Sequence, residues 1–166
     1  MKTQELVALP PRIGGFRFLV AVSQYNSLVT DRLLSGALDT FHSFGDEVAQ
    51  VSVVRVPGAL ELPFVASRAA ASDAYDGILA LGCVIRGETG HYEAVVDGVT
   101  QGLTAVNAQG TVPVVFGILT TDTLLQALDR VGGKAGHKGV EGATTLHQMA
   151  RLAGAIAPES RGGRSS

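Results

Sequence analysis

Four short aliphatic runs recur along this 166-residue chain, and each is followed by a stretch whose apolar residues repeat at helical spacing. Phe16-Arg17-Phe18-Leu19-Val20-Ala21-Val22, Val51-Ser52-Val53-Val54-Arg55-Val56 (within 48–56), Gly77-Ile78-Leu79-Ala80-Leu81 and Val112-Pro113-Val114-Val115-Phe116-Gly117-Ile118-Leu119 have the length and the bounding residues of strands. Runs such as 16–22 are apolar nearly throughout, the pattern of a strand covered on both faces. Strand–helix alternation with right-handed crossovers then predicts an α/β, flavodoxin-like three-layer sandwich: a four-stranded parallel sheet with helices on both faces. The 46% hydrophobic fraction, 5% aromatic content and 21 glycines suit aliphatic strands joined by tight loops.

The helices follow in order. Thr30 or Asp31 is expected to cap the first, whose Leu33, Leu34, Ala37, Leu38 and Phe41 form one stripe and which Gly45 ends. Pro57 to Pro63 is read as a compact turn into a helix through Ala71, with Pro63 and Glu61 suited to its N-terminus. The third helix runs to about Asn107. Thr120 or Thr121 with Asp122 is expected to cap a fourth, ending near Val131. A turn over Lys134-Ala135-Gly136-His137-Lys138-Gly139 leads to the last, with Ala143, Leu146, Met149, Ala150, Ala153 and Ile156 on one stripe. One domain is expected over 16–157. Residues 1–15, with Pro10, Pro11, Gly14 and Gly15, read as an extended segment, and the polar tail 158–166 as disordered.

Several classes are excluded. The formal net charge of −2 gives no basic footprint for nucleic acid. No apolar run approaches the roughly 20 residues of a membrane span, and residues 1–15 lack a signal peptide's apolar core. A single cysteine allows no internal disulfide and fits a reducing compartment, so a cytoplasmic protein is expected. Dinucleotide and triphosphate glycine loops, zinc-spaced Cys/His pairs and a Gly-x-Ser-x-Gly elbow are missing. The chemistry is therefore expected to use no cofactor and no metal.

The most informative stretch is Gly82-Cys83-Val84-Ile85-Arg86-Gly87-Glu88-Thr89-Gly90-His91-Tyr92-Glu93, a strand-to-helix loop. Gly87 and Gly90 allow backbone N–H groups to approach a ligand, and Thr89 adds a hydroxyl. Unpaired N–H groups at a helix start attract anions, phosphate included. His91 falls in the first turn. Each part has a plainer reading, a capped turn and a surface histidine; their conjunction at the C-terminal edge of a strand favours a ligand site. Tyr25 and Asn26 after strand 1, Ala59, Leu60 and Glu61 after strand 2, and Phe116 on strand 4 offer a ring's worth of apolar surface and polar partners. Glu61 serves equally as dipole complement, and Phe116 as core. Cys83 is read as a small buried hydrophobe. Arg130 and Lys138 flank the glycine-rich turn, either as phosphate cations or as solvated charges.

Four blocks in order, 56–63 (Val-Pro-Gly-Ala-Leu-Glu-Leu-Pro), 80–93, 113–121 (Pro-Val-Val-Phe-Gly-Ile-Leu-Thr-Thr) and 130–139 (Arg-Val-Gly-Gly-Lys-Ala-Gly-His-Lys-Gly), closely resemble the lumazine synthase family of riboflavin biosynthesis. The resemblance covers roughly 16–157. It implies condensation of 5-amino-6-(D-ribitylamino)uracil with 3,4-dihydroxy-2-butanone 4-phosphate. It also implies that Tyr25 stacks on the pyrimidine, and that Asn26, Ala59, Leu60, Glu61, Cys83, Val84, Ile85, Phe116 and Lys138 line the ring and ribityl site. Gly87, Glu88, Thr89 and Arg130 would hold phosphate, and His91 would transfer protons. Phe116, Arg130 and Lys138 would come from a neighbouring subunit of a homo-pentamer. Closure of pentamers into an icosahedral shell is left open: Pro10-Pro11 opposes the strand addition that shells use, while 132–139 carries no extra residues of the pentamer-only kind. Riboflavin synthase is admitted as a partner. Tyr25, Leu60 and His137 depart from the residues usual at their positions. Two alternatives stand beside the enzyme. A flavin-binding carrier is disfavoured because 23–30 contains no glycine, and a catalytically silent shell-forming homologue because His91, Thr89 and Arg130 are present.

Overall fold

The computed structural model describes Thr3 and residues 13–156; the expectations for most of 1–15 and for the tail 158–166 lie outside the described residues. The strands are β1 (Phe16–Ser23), β2 (Val48–Val56), β3 (Gly77–Ile85) and β4 (Val114–Thr121), with a small ribbon of β5 (Val131–Gly133) and β6 (Gly136–His137). The helices are α1 (Ser27–Ser43), α2 (Leu62–Ala70), α3 (His91–Ala108), α4 (Leu124–Leu128) and α5 (Lys138–Ile156). The main sheet runs β2-β1-β3-β4 and is parallel throughout. The expected α/β sandwich is what forms.

Strand periodicity divides the core into two layers. Phe18, Val20 and Val22 of β1 face α1 and α5, where they meet Leu33, Ala37, Phe41, Ala143 and Leu146. Leu19 and Ala21 point the other way, towards Leu62 and Ala66 of α2 and Val99 and Leu103 of α3. Fully burying a Val, Leu or Phe side chain stabilises by roughly 1.5–3 kcal/mol, so a sheet lined on both faces is where the fold's stability lies.

The boundaries of α1, β4 and α4 differ from expectation, each for a local reason. α1 begins at Ser27, ahead of Thr30 and Asp31, because Asn26 turns the chain in a left-handed conformation (φ 59°). The Asn26 carbonyl then accepts from Val29 N and Thr30 N at 2.8 and 3.1 Å. Thr30 is buried, and Asp31 pairs with Arg55 of β2 at 2.8 Å. β4 starts after Pro113, which has no N–H to donate to the ladder, although its carbonyl accepts from Ile78 N at 2.9 Å. α4 is capped by Thr123, not by 120–122: Thr123 Oγ1 accepts from Gln126 N, and Gln126 Oε1 accepts from the N–H groups of Thr123 and Asp122. It closes at Leu128, and Val131 opens the ribbon.

His147 of α5, which the sequence marks only as a helical residue, is 5% exposed. Its ring stacks on Phe44 with centroids 4.1 Å apart, and Nε2 lies 2.8 Å from Glu47 Oε2. Burial pushes the imidazole below its ordinary value, reinforced by Arg151 and opposed by Glu47. The unfolded chain therefore takes up this proton first as pH falls. The stability from neutral His147 is complete above its unfolded value of about 6.5 and is lost as pH drops from there towards the folded value. Unfolding midpoints measured from pH 7.5 down to 5 should fall, and less steeply for His147→Phe; parallel slopes would reject the assignment.

Candidate functional site

The strands being parallel, Ser23, Val56, Ile85 and Thr121 all end at one edge, where ligands bind in open α/β sheets. The first two loops are joined there. Gln24 N and Tyr25 N donate to the carbonyls of Val56 and Pro57 at 2.8 and 3.3 Å. Gly58 makes the approach possible: a Cβ on it would stand 3.1 Å from Tyr25 Cδ2. Tyr25 presents its ring at 70% exposure. Glu61 Oε2 accepts from Gly58 N at 2.9 Å, so one carboxylate oxygen closes the 59–61 turn, as the dipole reading expects. Leu60 is exposed and lies against α3 at Gly98, where a Cβ would come within 2.7 Å of its Cδ2.

Asn26 ties this side to β3. Its Nδ2 donates to the Cys83 carbonyl at 2.8 Å. Cys83, Val84 and Ile85 belong to β3, paired with Leu119, Thr120 and Thr121, so the strand continues four residues past Leu81 before the loop begins. Cys83 is 3% exposed, and burial pushes its thiol up to about 11, the condition of a packed hydrophobe rather than of a nucleophile. Replacing Asn26 by Ala removes this bond and also places a β-carbon in the left-handed region. We expect a loss of about 2 kcal/mol in urea unfolding, against about 1 kcal/mol for Asn26→Gly, which forfeits the bond alone. Equal losses for the two variants would contradict the backbone part of the account.

Residues 86–90 cross from β3 to α3. Gly87 and Gly90 have open space where a side chain would project, and Glu88 and Thr89 are exposed. His91, exposed, is the first residue of α3, an 18-residue helix whose first N–H groups have no intrahelical acceptor. The conjunction expected of this loop, an open helix start with an imidazole at its first position, is present.

A second cluster at this edge was not singled out from the sequence. Arg86 donates from Nε to Asp122 Oδ1 at 2.9 Å and from Nη1 to Glu93 Oε1, and its Cζ lies 4.1 Å above the Tyr92 ring centre. The carboxyl of Glu93 is held below its ordinary range chiefly by that hydrogen bond. Arg86, Tyr92 and Asp122, with Arg130, Lys134, Asp129 and Gln126, line a polar cleft of about 560 Å³. The available signal was an arginine directly before the loop with an acid seven positions on.

Phe116 stands apart from this edge within one chain. Phe116 pairs with Ala80, five residues before the end of β4, or roughly 16 Å down the strand. It is 39% exposed on an edge strand. Lys138 donates to Glu141 at 2.8 Å, and its N–H to the Arg130 carbonyl at 2.8 Å. Among the described residues no group of three or more His, Cys, Asp or Glu is placed to hold a metal, and no helix is long and apolar enough to cross a membrane.

A doubly covered parallel sheet with a glycine loop and a helix-start histidine at its C-terminal edge defines a flavodoxin-like α/β protein. The profile of the 6,7-dimethyl-8-ribityllumazine synthase family matches residues 15–154, and the chain belongs to that family of transferases. A relative from Desulfotalea psychrophila, named 6,7-dimethyl-8-ribityllumazine synthase, is 45% identical over 145 residues, 87% of this chain and 94% of the relative. One of the same name from Porphyromonas gingivalis is 44% identical over 136 residues, 82% and 84% of the two chains.

Proposed function

We propose that this chain condenses 5-amino-6-(D-ribitylamino)uracil with 3,4-dihydroxy-2-butanone 4-phosphate to give 6,7-dimethyl-8-ribityllumazine. The amine and ketone form an imine with loss of water, phosphate is eliminated, and ring closure releases water. The observation that carries this reading is the open 86–90 loop running into a helix whose first residue is His91, in a chain of this family. Gly87, Glu88 and Thr89 hold the phosphate at the helix start, where backbone N–H groups and the helix dipole favour an anion. Arg130 supplies a cation. His91 takes and returns protons, which imine formation and elimination both demand. Tyr25 stacks on the pyrimidine, while Asn26, Ala59, Leu60, Glu61, Cys83, Val84 and Ile85 line the ring and ribityl chain. No cofactor takes part.

Phe116, Arg130 and Lys138 reach the site from an adjoining copy in a homo-pentamer. The distance between Phe116 and its own chain's loops supports this, as does apolar surface left exposed at Leu60, Phe64 and Leu125. Light scattering separates a pentamer from a closed shell, and co-purification tests riboflavin synthase as partner. The cytoplasm is the expected location. Purified protein mixed with the two substrates should develop lumazine fluorescence with one phosphate released per product. No chromophore would reject the enzyme reading and favour the silent homologue; a yellow, reversibly reducible protein would favour the flavin carrier.

A further inference from the structure

Arg86 is the residue at which β3 gives way to the loop. Its N–H donates to the Thr121 carbonyl at 2.9 Å, which fixes the loop's start to the end of β4. Its guanidinium reaches forward to Glu93 in the first turn of α3 and sideways to Asp122, while lying on the face of Tyr92, the residue after His91. Asp122 is itself held, since its N–H donates to Gln126 Oε1 of the α4 cap at 2.8 Å. One side chain thus connects the loop's start, the helix on which the loop ends, and the neighbouring strand. Gly87 and Gly90, by contrast, have open space where a Cβ would project, so no side chain packs against the loop at those two positions.

A lone surface ion pair has small effect, and Arg86, Glu93 and Asp122 are 45%, 53% and 66% exposed at their side chains. A planar guanidinium shared between two carboxylates and an aromatic face is a different case, because each contact fixes the orientation that the others need. Charge adds a second consequence. Glu93 and Asp122 flank the loop, and Arg86 is the cation bonded to both. Without it two bare carboxylates would stand beside an incoming phosphate and repel it.

We propose that Arg86 is a positioning residue for the anion-binding loop: by bridging Glu93 and Asp122 across Tyr92 it sets the span of residues 87–90 and screens the flanking carboxylates from a phosphate. This rests on the reading of that loop as the phosphate site. Arg86→Met should raise the KM for the phosphate ester roughly fivefold or more, about 1 kcal/mol of binding by the usual conversion, while the KM for the pyrimidine and kcat stay within about twofold. Arg86→Lys, a point charge without the fork, should fall between Met and wild type. Adding Glu93→Gln to Arg86→Met should recover part of the loss, and amide exchange over 87–93 should quicken in Arg86→Met.

An unchanged phosphate-ester KM, or equal rises for both substrates, overturns the proposal. Calorimetric titration with inorganic phosphate gives a readout independent of turnover. If wild-type protein makes no lumazine, the function reading fails on its own, and phosphate titration still decides here. Weaker binding to Arg86→Met than to wild type upholds the role of Arg86, and equal or absent binding in both refutes it.

Discussion

Purified His91→Ala protein should form 6,7-dimethyl-8-ribityllumazine roughly a hundredfold more slowly than wild type, with both KM values little changed. General acid–base groups contribute typically about 10²–10⁴-fold, and the lower end applies because the exposed first turn of α3 lets water carry protons in place of the imidazole. A hundredfold corresponds to about 2.7 kcal/mol of transition-state stabilisation. The rest of the acceleration should survive, since in the proposed site the loops around Tyr25, Glu61 and Thr89, and not His91, hold the two substrates together in a reactive orientation. The stability of the variant should match wild type, because the His91 side chain is exposed and no contact in the core depends on it. Steady-state fluorescence with each substrate varied in turn checks both halves of the expectation. Full turnover would remove His91 from the chemistry, and complete loss would give it a role beyond moving protons.

The sheet was legible because its residues obey one constraint at a time. Phe18, Val20 and Val22 against Leu19 and Ala21 must alternate between two covered faces, and aliphatic side chains suit both. The open loop was legible for a related reason: Gly87, Gly90 and His91 serve no packing purpose, so their presence before a helix calls for another explanation. Boundaries were harder to read wherever backbone geometry decided them. Thr30, Thr120 and Thr121 have good capping chemistry, yet Asn26 in its left-handed turn and Thr123 with Gln126 took those roles. Spacing along the chain cannot rank such near neighbours. The Arg86 cluster and the His147–Glu47 contact were hidden because each joins residues from separate elements that meet only after the sheet forms. Phe116 shows the converse. Its residue type suggested a ring-binding surface, but register sets it well below its own chain's loops.

Gly139→Ala should cost this protein about 3 kcal/mol, the largest penalty among single-methyl additions outside the strands and loops. Gly139 is the second residue of α5 and crosses α1 at Leu33, where a Cβ would stand 2.1 Å from the Leu33 carbonyl oxygen and 2.9 Å from its carbon. Both obstacles are backbone, so no side-chain rotation relieves them, and the start of α5 must lift away from α1. That movement reaches beyond the crossing. The His137 ring, two residues earlier, sits where a Cβ on Gly36 would fall 2.3 Å from its Cε1, so α1 and the ribbon are fitted as closely as α1 and α5. Lys138 N donates to the Arg130 carbonyl, so a lifted α5 would carry the candidate phosphate cation with it. Overpacking a core usually costs about 1–3 kcal/mol, and a rigid backbone obstacle belongs at the upper end. For a domain of this size that lowers the unfolding midpoint by roughly 6–12 °C. Two variants supply the scale. Gly142→Ala meets Leu79 Cδ1 at 2.8 Å, the movable end of a side chain, and should cost about half as much. Gly87→Ala meets nothing within 4 Å and should leave the midpoint within about 2 °C. Thermal unfolding of the three at one protein concentration tests the order, and a Gly139→Ala midpoint at or above that of Gly142→Ala would show that the α1–α5 crossing yields more easily than its backbone contacts imply.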